Sequence, residues 1–174
     1  TLSLHPPFDV PFQSQWNGKS ERELFLNSAA FADHALGAFF ESAARQPWFN
    51  RTLFVVVADH GSYNPVPVGM DHPRSRQVPL LFISPRLKST WHGKKIDTWC
   101  NYHDLAATLL QPPNLQERFP WSRNLLHTTT SFAYYTNEEG VGWSTPQGTG
   151  SYRYKPQQWQ FFGDTLNKQS QQDA

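Results

Sequence analysis

Residues 50–61 read Asn50-Arg51-Thr52-Leu53-Phe54-Val55-Val56-Val57-Ala58-Asp59-His60-Gly61. The run from Leu53 to Ala58 is unbroken by any polar residue and rich in β-branched side chains. A strand with one wet face alternates apolar and polar residues, so this pattern predicts a strand buried on both faces. The run stops abruptly at Asp59-His60-Gly61, where Gly61 lets the chain turn away without a Cβ in the way. Ligands of open α/β sheets bind outside the carboxyl ends of the strands. A carboxylate and an imidazole delivered together at that edge can share one divalent ion. Asp supplies a hard oxygen and His a borderline nitrogen, a pair that suits Zn or Mn. A plainer reading stands beside this one, in which Asp59 caps the next turn and His60 is a surface residue.

Upstream, Ser20-Glu21-Arg22-Glu23 is a capping box. From there Leu24, Phe25, Ala29, Leu36, Phe39, Phe40 and Ala43 recur at helical spacing. They predict one long amphipathic helix reaching about Gln46 and ended by Pro47. Residues 1–17, rich in Pro and aromatic residues, read as a short strand leading into an irregular loop. Downstream, a polar loop over residues 61–77 carries Pro65, Pro67 and Pro73, and a second buried strand follows over Val78–Ser84, closed by Pro85. Helix, buried strand, loop and buried strand in this order predict an α/β fold with a central sheet flanked by helices. His103–Leu110 is a short helix stopped by Pro112-Pro113. Ser131–Tyr135 and Gly140–Trp143 flank Asn137-Glu138-Glu139-Gly140, a hairpin signal. Gly148, Gly150 and Pro156 punctuate the segment after it. This C-terminal part is expected to be an antiparallel hairpin region closing the sheet. Residues 1–166 then form one domain, and 167–174 a polar, frayed tail.

Composition narrows the function classes. The chain has 174 residues, enough for a real core, and a net charge of +1 with no basic run, so nucleic-acid binding has no electrostatic footprint. Cys100 is the only cysteine, which excludes an internal disulfide and a thiolate metal cluster. No stretch approaches the roughly 18 consecutive apolar residues of a membrane span. The 15% aromatic share suits a core of large rings or a groove lined with them. The chain opens at Thr1 with neither Met nor a signal segment, from which removal of upstream residues is expected.

Seven segments, in order along the chain, resemble the lipoteichoic acid synthase-like branch of the alkaline phosphatase/sulfatase superfamily. Phe49–Gly61 resembles the strand and loop that supply an Asp-His pair to the catalytic metal in sulfatases and alkaline phosphatases. Thr1-Leu2-Ser3-Leu4-His5-Pro6-Pro7-Phe8 resembles a T-x-S-x-H-x-P-F segment, and Phe31–Phe39 a Y-x-D-x-A-L-G-x-F helix. Val78–Pro85 resembles V-P-L-L-I-x-x-P, and His103–Leu110 a D-L-x-P-T-L-L helix with Ala107 where Pro is usual. Trp121–Leu126 and Phe132–Trp143 resemble the closing strands. The match covers nearly the whole chain, and its specificity lies in the order of the segments.

The resemblance implies a partial alkaline-phosphatase-like sandwich in which Asp59 and His60 are metal ligands. It makes His5 a catalytic, substrate-binding residue that faces a phosphoglycerol headgroup beside the metal. His72, on the loop after the metal strand, is a further substrate-facing candidate. The metal is expected to be Mn or Zn, with Mg or Ca as alternatives. Arg74 and Arg76 fit solvated loop charges better than a phosphate clamp; Asp33 and Asp104 look structural; His103 and Cys100 have no assigned role; and Trp16, Trp91 and Trp99 fit packing.

The implied reaction transfers phosphoglycerol from a lipid donor to a glycan or glycerol-phosphate hydroxyl through a covalent Thr intermediate. The family's Thr nucleophile and a further acidic ligand lie in the first half of its catalytic domain, whereas the first match here, at Thr1, already belongs to the second half. The expected partners are therefore that N-terminal half, the lipid donor and the acceptor. An extracytoplasmic setting and a membrane-anchored parent follow. A sulfatase, phosphodiesterase or phosphoethanolamine transferase of the same superfamily is the nearest alternative, and a noncatalytic binding module of the same fold the more distant one. The long helix before a returning strand permits His5 to approach Asp59-His60 to within reach of one bridging phosphoryl group.

Overall fold

The protein was analysed as a computed structural model, which describes residues 4–11, 15–62, 64, 69, 72–110 and 118–162. The expected tail lies outside the described residues. The fold is mixed α/β. Two compact units divide the chain, residues 1–69 with 77–94 and residues 70–76 with 95–174.

The first unit is built on helix α1, Glu21–Ala43. Its start is set by chemistry visible in the sequence. Ser20 Oγ accepts from the Glu23 backbone N–H at 3.3 Å, while the Glu23 carboxylate accepts from the Ser20 N–H at 3.2 Å. The chain then returns as strand β1, Phe54–Val57, which pairs antiparallel with β2, Leu80–Ile83, in the register Phe54↔Ile83 to Val57↔Leu80. Phe54 is the hinge of this packing: the rings of Phe39, Phe40, Trp48 and Phe49 surround it with centroids 5.1 to 6.1 Å away. Ser84 closes the far end by donating its hydroxyl to the Thr52 carbonyl at 2.7 Å.

Two expectations change here. Neither strand is buried on both faces: Val57 and Leu81 remain exposed, Leu81 by half. A strand is sheathed only when neighbours flank it and layers cover it, and among the described residues each strand of the pair has one neighbour. The start of the chain is also not a strand where it is described. Leu4 to Pro7 form a tight turn, because Pro6 and Pro7 have no N–H to give to a ladder.

The second unit holds α2, Asp104–Leu109, and a four-stranded antiparallel meander: β3 Ala133–Thr136, β4 Gly140–Thr145, β5 Gly148–Arg153 and β6 Gln158–Phe162. The expected hairpin is β3–β4, and its Asn137 side chain accepts from the backbone N–H groups of Glu139 and Gly140 at 2.9 and 2.8 Å. The sheet continues for two further strands. Gly150, which looked like loop punctuation, makes room for a ring: Trp143 lies over it, and a Cβ at Gly150 would come 2.6 Å from that ring. Asp104 is fully buried and ties α2 to the following segment. It accepts from the backbone N–H of Asn101 and Arg123, both at 2.9 Å, and pairs with the Arg123 guanidinium through both carboxylate oxygens.

Candidate metal and phosphoryl site

Asp59 and His60 stand two and three residues beyond the end of β1, where the backbone bends. The local chain fixes both side chains. Asp59 Oδ1 accepts from the His60 backbone N–H at 3.0 Å, which leaves Oδ2 turned to the imidazole. The His60 ring places Nδ1 2.8 Å from the Gly61 carbonyl. A carbonyl can only accept, so Nδ1 carries the proton and Nε2 presents its lone pair, the form in which histidine binds a metal. Asp59 Oδ2 and His60 Nε2 are 3.9 Å apart. Metal–ligand bonds of about 2.0–2.2 Å to each can span that gap. The donor set therefore fits a divalent ion, and both side chains are more than half exposed. Among the described residues no group of three or more His, Cys, Asp or Glu side chains is gathered, so these two are the protein donors in view.

His5 arrives from the segment that precedes α1 in the chain. Its ring centroid is 5.3 Å from that of His60, at an interplanar angle of 56°. The approach expected from the helix-and-return geometry is present: the two imidazole rings are in direct contact. Several contacts that the sequence did not reveal hold this corner together. The Phe8 backbone N–H donates to the His5 carbonyl at 2.8 Å, and the buried Phe8 ring meets Phe25 of α1 edge-on at 6.3 Å. Asn27, buried on α1, exchanges two hydrogen bonds of 3.1 Å with the backbone of Trp16. Asn64, beyond the pair, donates to Glu21 at the start of α1 at 3.2 Å. The available signal was Asn27, a polar residue three positions after Leu24 and therefore within the apolar stripe.

His72 belongs to the second unit. Its Nδ1 accepts from the Arg74 backbone N–H at 3.1 Å, its carbonyl accepts from Ser75, and its ring meets Phe162 at 4.9 Å. Burial and then the Arg74 charge push its pKa below the usual imidazole value, so this ring is neutral near pH 7 with the proton on Nε2. Arg76 lies over the Tyr135 ring, and the Trp99 N–H donates to Ser131. Cys100 is half-buried; burial and then the Asp104 charge push its thiol up, away from the thiolate form a nucleophile needs.

The Sulfatase family model matches residues 1–112, and the chain belongs to that family. Its structure is similar to that of a protein in the alkaline phosphatase superfamily from Vibrio parahaemolyticus, with a TM-score of 0.65 and 20% sequence identity. The similarity covers 95% of this chain and 43% of the other, so the chain spans less than half the length of that relative.

Proposed function

We propose that this chain forms part of a metal-dependent transferase that moves a phosphoglycerol-type group from a lipid donor to a hydroxyl of a glycan or glycerol-phosphate acceptor. The observation that carries the reading is the meeting of the His5 ring with that of His60 in the Asp59-His60 pair, 5.3 Å between ring centroids, from segments that precede and follow α1 in the chain. Asp59 Oδ2 and His60 Nε2 would hold the ion, Mn or Zn by their donor chemistry. When bound, it would neutralise charge on the nonbridging phosphoryl oxygens. His5 hydrogen-bonds the phosphoryl group or passes a proton to it.

The nucleophile in this reading is a Thr hydroxyl supplied from outside these 174 residues, together with the remaining metal ligands. The bond from Thr Oγ to phosphorus forms as the bond from phosphorus to the diacylglycerol oxygen breaks, and that oxygen takes up a proton. The acceptor hydroxyl then attacks phosphorus, the Thr oxygen leaves, and the phosphoglycerol is transferred. The exposed apolar side chains of Val57 and Leu81 support completion of the small sheet by that further part of the domain. A lipid donor places the reaction on the extracytoplasmic membrane surface. No described helix is long and apolar enough to cross a membrane; the parent protein in this proposal is membrane-anchored.

The test uses the intact protein with phosphatidylglycerol vesicles and Mn2+. Diacylglycerol release that stops on chelation, together with a glycerophosphate adduct on a Thr peptide, is the expected result. Cleavage of an aryl sulfate with the vesicles left intact would assign a sulfatase. No turnover of either with metal bound would leave a binding module.

A further inference from the structure

We propose that Phe8 is a positioning residue that aims His5 at the Asp59-His60 pair; this deepens the functional reading above and depends on it only for its catalytic arm. Among the described non-glycine residues, Phe8 has a positive φ, 61°. Left-handed backbone disfavours a bulky L side chain and persists where the surroundings over-determine it. The surroundings of Phe8 do so from two sides. Its ring is buried, 6% exposed, and stands edge-on to Phe25 of α1 at 83°. Its N–H closes the turn onto the His5 carbonyl at 2.8 Å.

Between them Pro6 and Pro7 each hold φ near a single value. The segment from His5 to Phe8 is thus a stiff lever, pinned to the helix at Phe8 and carrying the imidazole at its free end. That end reaches His60 across 5.3 Å. In this arrangement Phe8 acts through His5. Removing its ring unpins the lever and lets the backbone relax to negative φ, which turns His5 away from the pair.

The first arm reads geometry in the 174-residue chain, without turnover. Nuclear Overhauser contacts between the His5 and His60 ring protons are expected in the wild type and in Phe8→Leu, which keeps an apolar anchor. They are expected to vanish in Phe8→Ala, while the amide signals of α1 and the affinity for Mn2+ alone change by less than about twofold. Phe25→Leu, which removes the facing ring from the helix side, is expected to weaken the same contacts. The second arm uses the intact protein on phosphatidylglycerol vesicles. Phe8→Ala should lower kcat roughly 100-fold at unchanged KM, the scale of a small misplacement of a reacting group, and Phe8→Leu should restore most of it. Persistence of the His5–His60 contacts in Phe8→Ala, or their absence in the wild type, overturns the proposal, as does a Phe25→Leu spectrum identical to the wild type. A wild type without phosphodiester turnover sinks the functional reading, and the spectra still judge Phe8.

Discussion

His60 and Asp59 have divided roles at the level of single atoms. One carboxylate oxygen and one ring nitrogen serve the local chain, and the other oxygen and nitrogen face each other at 3.9 Å. Asp59→Ala is therefore expected to remove Mn2+ binding and turnover together in the intact protein, as measured by metal content and diacylglycerol release. His5→Ala should leave the metal content nearly unchanged and lower turnover by about 10²-fold or more, the range for a lost proton donor. Asp104 is a different kind of residue. Burial alone would push its carboxyl up, but hydrogen bonds from Arg123, Asn101 and the Arg123 backbone hold it below the ordinary value of 3.8. A carboxylate depressed in the folded state contributes stability above that ordinary value, and the contribution is lost as pH falls through the lower, folded value. Asp104→Asn should cost about 3 kcal/mol in urea unfolding at pH 7, because it leaves the Arg123 charge without its counter-ion, and the difference from wild type should shrink as the solution is acidified below pH 3.8. In the sequence Asp104 was legible only as structural. Its partner Arg123 lies on a later segment that no local pattern connects to it.

At the scale of elements, legibility followed the range of the forces involved. The start of α1 was read to the residue because a capping box involves only Ser20 to Glu23. Ser20→Ala should lower the unfolding free energy by about 1 kcal/mol in thermal or denaturant melts. The strand before Asp59 was also legible, trimmed at both ends to Phe54–Val57. The last two strands were not. Gly148 and Gly150 read as breaks, whereas Gly150 sits in β5 because the Trp143 ring from β4 occupies the space of a side chain. That reason exists only once the strands are paired. Gly150→Ala should accordingly destabilise the sheet by about 1–3 kcal/mol through overpacking, with thermal unfolding as the measurement.

At the scale of the whole molecule, the chain spans 43% of a relative with which it shares a fold, and among the described residues the proposed metal site has two donors, Asp59 and His60. Catalytic zinc sites use about three protein ligands. The 174-residue chain alone should therefore bind Mn2+ or Zn2+ more weakly than micromolar in isothermal titration and show no phosphotransfer. Micromolar or tighter binding would mean that a further donor lies within it. The sequence by itself determined what neighbours along the chain can settle: the capped helix, the two apolar strands, the β3–β4 hairpin, and an Asp-His pair at a strand's end. Tertiary structure alone decided that His5 meets His60, that Phe8 is driven into left-handed backbone, that Asn27 and Asp104 are buried on hydrogen bonds, and that β5 and β6 extend the β3–β4 hairpin. The physical reason is the same in each case. Caps and β-branched runs draw on energies a few residues wide, whereas these contacts join segments whose meeting depends on packing and loop closure over the whole unit.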